Sequence, residues 1–175
     1  MADLTPLLAF RWSPRAFDPA AELTGAEASS LLEAARWAPS TGNGQPWRFA
    51  LGHREDETWK RLLVSVPADD QRWARRASAL VLGAHTGDAE RGAYDLGQAM
   101  AHLTVQATAL GLHVHQLTSF DRAGLAADLD LPVGIRPLVV AAVGRLGDPA
   151  VLSEELRQRE TGLRRRQPLA ALLLR

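Results

Sequence analysis

Apolar residues between Thr24 and Pro39 recur at helical spacing, as Ala28, Leu31, Leu32, Ala35 and Ala38, until the proline stops the run. Thr24 and Glu27 form a capping-box pattern, because a hydroxyl and a carboxylate three residues apart can each satisfy an amide left free at a helix start. A helix is predicted there. Trp47 to Leu51 then reads as a short strand, and HREDETWKRLLVSV as a turn and a helix with a solvated charged face. Arg72 to Arg76 lead into the apolar run Ala77 to Gly83, short enough for a buried strand. The longest amphipathic stretch, Asp88 to Leu110, carries Leu96, Ala99, Met100, Leu103, Ala107 and Leu110 on one stripe and stops at Gly111, which predicts a central core helix. Ala93, Gly97 and Ala101, four residues apart, either admit another backbone, such as a second copy of the same helix, or reflect alanine richness alone. Leu112 to Leu117 reads as a strand, Asp121 as the cap of a helix through Leu129 with Phe120 and Leu125 as its hydrophobic staple, and Leu138 to Gly144 as a further strand. Helices alternating with three or four strands predict layered α and β structure. No repeat or low-complexity linker divides it, so residues 1–175 are expected to form one domain.

Composition narrows the chemistry. With 46% hydrophobic residues in 175, the chain can bury one ordinary core. Its 20 basic and 20 acidic residues cancel, so no global field draws it to nucleic acid or an anionic membrane, and ligand charge must be met locally. Cysteine is absent, which removes disulfides, thiolate metal sites and cysteine nucleophiles. The opening MADLTPLLAF has an early Asp3 and no long apolar run, so neither a secretion signal nor a membrane span is expected, and the default location is cytoplasmic. The tail VLSEELRQRETGLRRRQPLAALLLR ends in LAALLL, an apolar stretch that is costly to leave in water and should dock on something.

Three segments carry candidate binding chemistry. In APSTGNGQPWRF, Pro39, Gly42, Gly44 and Pro46 exclude a regular helix or central strand, while Ser40, Thr41, Asn43 and Gln45 offer hydrogen-bonding groups to a flat polar ligand; the same residues could equally build a tight turn. In RWSPRAF, Arg11, Ser13 and Arg15 occupy every second position, so an extended backbone would point two guanidinium groups and a hydroxyl to one side, suitable for a phosphate or a delocalised anion. Arg164, Arg165 and Arg166 form a second cationic cluster, which taken alone reads as a solvated charge run paired with Glu154, Glu155 and Glu160. Other motifs fail. GNGQPW lacks the third glycine of a dinucleotide fingerprint and follows a helix, GxSxG and HExxH are missing, and His113 and His115 have no acidic or cysteine companions, so no metal site is expected.

Taken together, RWSPRAF, APSTGNGQPWRF, YDLGQAMAHLTVQATALGLHVHQLTSFD and RRRQPL occur in one order, and over residues 8 to 172 the chain resembles the nitroreductase family of FMN-dependent oxidoreductases. The resemblance implies an α+β fold, with a mixed, mainly antiparallel sheet flanked by helices, in an intertwined homodimer that exchanges C-terminal arms. It implies that Arg11, Ser13 and Arg15 contact FMN, with Arg11 towards the phosphate and ribityl chain and Arg15 near the pyrimidine edge. Pro39, Ser40, Thr41 and Asn43 would reach the flavin across the dimer, Arg164 and Arg166 would hold the phosphate, and Asp70, Leu117, Thr118 and Ser119 would border the ring. The implied reaction is ping-pong transfer of hydride from NADH or NADPH through FMN to a nitroaromatic, quinone or similar small acceptor, with no side-chain nucleophile.

Two departures bear on turnover. Thr118 and Ser119 stand where relatives commonly have a glycine-containing turn whose amide faces flavin N5, and a lost glycine either strains Ser119 or moves the loop. Asp70 stands where many relatives carry asparagine, and a carboxylate at flavin O2 would oppose negative charge on the reduced ring unless it points away. A flavin-binding protein with little or no turnover, for sequestration or sensing, is therefore the alternative expectation.

Overall fold

The computed structural model describes residues 3–174; Met1, Ala2 and Arg175, which the one-domain expectation and the tail include, lie outside the described residues. After a short helix α1 (Pro6–Ala9), α2 (Gly25–Arg36) starts at the anticipated capping box: the Glu27 amide donates to Thr24 Oγ1 at 3.2 Å and the Thr24 amide to Glu27 Oε2 at 2.9 Å. Strand β1 (Trp47–His53) leads into α3 (Glu57–Ser65), capped by Asp56, and α4 (Ala68–Ala74). Next come β2 (Ala79–His85), the long helix α5 (Ala89–Ala109), β3 (His113–Leu117), α6 (Arg122–Asp128), β4 (Arg136–Gly144) and α7 (Glu154–Thr161). Gly111, at φ +69°, ends the α5 region as expected of a left-handed helix stop. Helix α4 has no counterpart in the apolar pattern. Its residues ADDQRWA bury only Trp73 and Ala74, too few to mark a periodicity.

The strands form one sheet in the order β1-β2-β4-β3. All three pairings are antiparallel, so the expected mixed character is corrected: among the described residues the sheet is purely antiparallel. Every residue of β2 is buried, because both faces of the sheet are covered. Alternate residues therefore feed two cores: Ala79, Val81, Val139, Ala141 and Val143 pack with Leu96, Met100 and Leu103 of α5 and Leu31 of α2, while Leu80, Leu82, Val140 and Ala142 pack with Trp59, Leu62, Trp73 and Leu125. Each large side chain buried this way contributes about 1.5–3 kcal/mol. No helix among the described residues is long and apolar enough to cross a membrane.

The apolar tail does not dock on its own chain. Leu169, Leu172, Leu173 and Leu174 are all exposed, as are Leu4, Leu7, Leu8 and Phe10 at the other end. On α5, Gly97 and Ala101 are also exposed, and a Cβ at Gly97 would meet nothing within 4 Å.

At Gly52 helix α3 lies close against β1, since a Cβ there would lie 2.2 Å from the Trp59 backbone nitrogen. Gly52→Ala should destabilise the fold by about 1–3 kcal/mol through overpacking against backbone, read as a lower urea midpoint; an unchanged midpoint would contradict this packing.

Candidate functional site

The segment Arg11 to Ala16 is held at its end by the sheet. Phe17 bridges Leu146 just beyond β4, and the Gly147 amide donates to the Ala16 carbonyl at 2.9 Å. Ser13 is exposed, Arg11, Trp12 and Arg15 are half-buried, and Pro14 and Ala16 are buried, with a bend at Arg15. Backbone amides of Arg15 (2.9 and 3.1 Å) and Ala16 (3.1 Å) donate to the carboxylate of Glu160 on α7. The Arg15 guanidinium lies 5.8 Å from the centre of the Trp73 ring, a cation–π distance, and its Nε is enclosed without an acceptor.

Trp73 joins several candidates. Its indole N–H donates to Asp70 Oδ1 at 3.0 Å, its ring stacks on Phe17 at 6.2 Å and meets the His115 imidazole at 4.7 Å. His115 Nδ1 lies 3.2 Å from the Ser13 carbonyl and 3.0 Å from that of Pro14, so the neutral ring carries its proton on Nδ1 and donates it there. Burial, and after it the nearby Arg15 cation, holds the His115 pKa below the usual imidazole value; burial alone does the same for His113, whose Nδ1 has no partner.

The second cationic cluster reaches this segment from the far end of the chain. Arg164 donates to the Arg11 carbonyl at 2.5 Å and the Ala9 carbonyl at 2.7 Å. Partial burial lowers the Arg11 pKa, and the charges of Arg164 and Arg166 lower it further, so the three guanidinium groups feel one another. The ion pairs among the described residues lie elsewhere. This corrects the charge-run reading: Glu154 and Glu155 pair with Arg157 and Arg159, and Glu160 is buried on backbone amides.

The loop at Pro39–Gln45 is compact. Gly42, Asn43 and Gln45 have φ of +59°, +56° and +46°, and Thr41–Asn43 form a single 3-10 turn. Asp95 of α5, 3% exposed, accepts from the Thr41 amide at 3.1 Å and from its hydroxyl at 3.4 Å. Ser40 Oγ accepts from the Gln45 amide at 3.1 Å, and Gln98 donates to the Pro39 carbonyl at 3.4 Å. Within one chain, no hydrogen bond or ion pair among the described residues links this loop to Arg11, Arg15 or Arg164. At the end of β3, Leu117 is buried and Thr118 and Ser119 are exposed, and neither of the latter has a positive φ.

Asp95 and Glu160 are the residues that sequence reasoning missed. Asp95 left a trace, a carboxylate directly beside the apolar stripe at Leu96, whereas Glu160 sits in a charge-rich stretch and left none.

A model of the nitroreductase family matches residues 8–71. An uncharacterized 15.4 kDa protein in the ask 5' region of Mycolicibacterium smegmatis is 36% identical over 135 residues, 70% of this chain and 90% of that protein. A crystal structure of an oxidoreductase containing FMN superposes with a TM-score of 0.90 at 33% identity, covering 99% of this chain and 91% of that one. An oxygen-insensitive NAD(P)H nitroreductase of Salmonella typhimurium is 35% identical over 54 residues, 31% of this chain and 25% of that protein. The chain belongs to the nitroreductase family, and with it to the oxidoreductases.

The lowered histidines set a pH dependence. Between the usual imidazole pKa of about 6.5 and the lower folded values, the unfolded chain binds more protons, so stability present above that pH is lost as the pH falls through the window. The urea midpoint should therefore drop on acidification from pH 7 to 5, and His115→Gln should flatten that slope, with His113→Gln removing a further part.

Proposed function

We propose that the chain binds FMN and carries hydride from NADH or NADPH to a small acceptor such as a nitroaromatic or a quinone. One observation carries the reading: Arg11, Arg164 and Arg166 converge from opposite ends of the chain, and none of them forms an ion pair with a carboxylate among the described residues. A flavin phosphate would supply the missing charge. The other donors fit as well, since, among the described residues, the enclosed Arg15 Nε lacks an acceptor and the Arg15 guanidinium has no ion pair. When bound, FMN supplies a ring that accepts hydride from a nicotinamide and delivers it to a second substrate.

The chain's own residues bind, orient and bias. Arg11, Arg164 and Arg166 hold the phosphate, Ser13 adds a hydroxyl, and Arg15 faces the pyrimidine edge, where its charge favours electron density on the ring. Asp70 keeps one oxygen on the Trp73 indole, which limits how a carboxylate at this position can oppose the ring. Leu117, Thr118 and Ser119 would border the ring, and the exposed Thr118 and Ser119 carry no positive φ. Pro39, Ser40, Thr41 and Asn43 serve the flavin of a second copy. The exposed leucines of the C-terminal arm support a homodimer in which that arm packs on the partner.

Purified protein should be yellow, and its flavin band should bleach on mixing with NADH or NADPH. Colourless protein that fails to take up FMN would sink the reading, and a bound flavin that stays oxidised with both donors would favour sequestration or sensing. Arg11→Ala should weaken FMN binding by about 1.5–3 kcal/mol, measured by flavin fluorescence titration. Deleting residues 168–175 should lower dimer stability and flavin retention together.

A further inference from the structure

We propose that Glu160 is a positioning residue for ligand binding, whose buried carboxylate clasps the main chain at Arg15 and Ala16 and so sets the Arg15 guanidinium in place against the arginines of the C-terminal segment. The inference rests on the reading of the Arg11–Arg15 segment as part of the ligand site.

Glu160 is 7% exposed, yet it makes no ion pair among the described residues. Its carboxylate takes three hydrogen bonds, all from backbone: 2.9 and 3.1 Å from the Arg15 amide and 3.1 Å from the Ala16 amide, 145 and 144 residues away. Burying this charge is costly, and the cost is raised by its place in the last turn of α7, where the helix dipole disfavours an anion. Packing alone would be served by an apolar side chain. A forked ion pair to the Arg15 side chain would also bury the charge, but it would occupy the guanidinium a ligand needs. Binding the amides instead fixes the backbone of Arg15 and leaves its guanidinium uncommitted beside Trp73.

Glu160 is also the last buried side chain, since each residue from Thr161 to Leu174 is exposed. Arg164 lies four positions on, and its two bonds to the Arg11 and Ala9 carbonyls make a second fastening between the same two segments. Without the clasp, the arginines of both segments would lose a shared frame while repelling one another.

The test pairs a ligand-free measurement with a ligand-dependent one, in the full-length protein. Hydrogen exchange at the Arg15 and Ala16 amides should be slow in the wild type and at least about tenfold faster in Glu160→Ala, because those donors lose their acceptor. FMN affinity should fall by about tenfold or more in Glu160→Ala and by less in Glu160→Gln, which keeps one acceptor oxygen, while Glu155→Gln on the exposed face of α7 should bind as the wild type does. In a double-mutant cycle the effect of Glu160→Ala should largely vanish on an Arg15→Ala background, a coupling that general loosening of the fold would not produce. Should Glu160→Ala fail to fold, Glu160→Gln carries each comparison. Unchanged amide exchange, unchanged FMN affinity, strict additivity with Arg15→Ala, or an equal loss in Glu155→Gln would each overturn the proposal. A wild type that binds no FMN but shows the exchange difference would defeat the functional reading and leave the clasp standing.

Discussion

The pairing of β2 with β4 at the centre of the sheet is the constraint on which the other elements depend. Because both strands are buried on both faces, their alternate residues must serve two cores at once, and a shift of one residue would exchange the two sets. The same register fixes where the site can be. It places His115 of β3 beside Trp73, and the turn after β4 at Leu146 and Gly147 against Phe17 and Ala16.

Two buried carboxylates then fasten the segments that carry the candidate chemistry. Asp95 holds Thr41 through its amide and hydroxyl, and Glu160 holds Arg15 and Ala16 through their amides, neither being paired with a cation among the described residues. Anions placed in this way stabilise loops that would otherwise be hard to order, among them one with positive φ at Asn43 and Gln45. The arginines are treated in the opposite manner. Arg11, Arg164 and Arg166 form no ion pair among the described residues, so their charges repel one another, a repulsion that the proposed anion would relieve.

Much of this was legible along the chain. The Thr24–Glu27 box, the α5 stripe and the Gly111 stop are local patterns, and all three occur as the spacing implied. The strands too were visible, though β1 runs two residues past the expected Leu51, to His53, and β2 is displaced by two, from Ala77–Gly83 to Ala79–His85, because the two pair with each other through His53 and His85. Helix α4 was not legible, since its place is secured by packing on α3 and by Gln71 donating to the Val66 carbonyl. The ordered motifs likewise carry the resemblance to the nitroreductase family in the sequence itself.

What the sequence determined by itself was therefore whatever neighbours in the chain can specify: element type, helix ends, loop chemistry, and the presence of cationic segments near both termini. Tertiary structure alone decided which charges are spent and which are free. Glu160 and Arg164 belong to one charge-rich stretch of sequence, yet folding buries the first on the amides of Arg15 and Ala16 and leaves the second exposed beside Arg11. The difference arises from burial and from partners 144 to 155 residues away, and no local pattern encodes either.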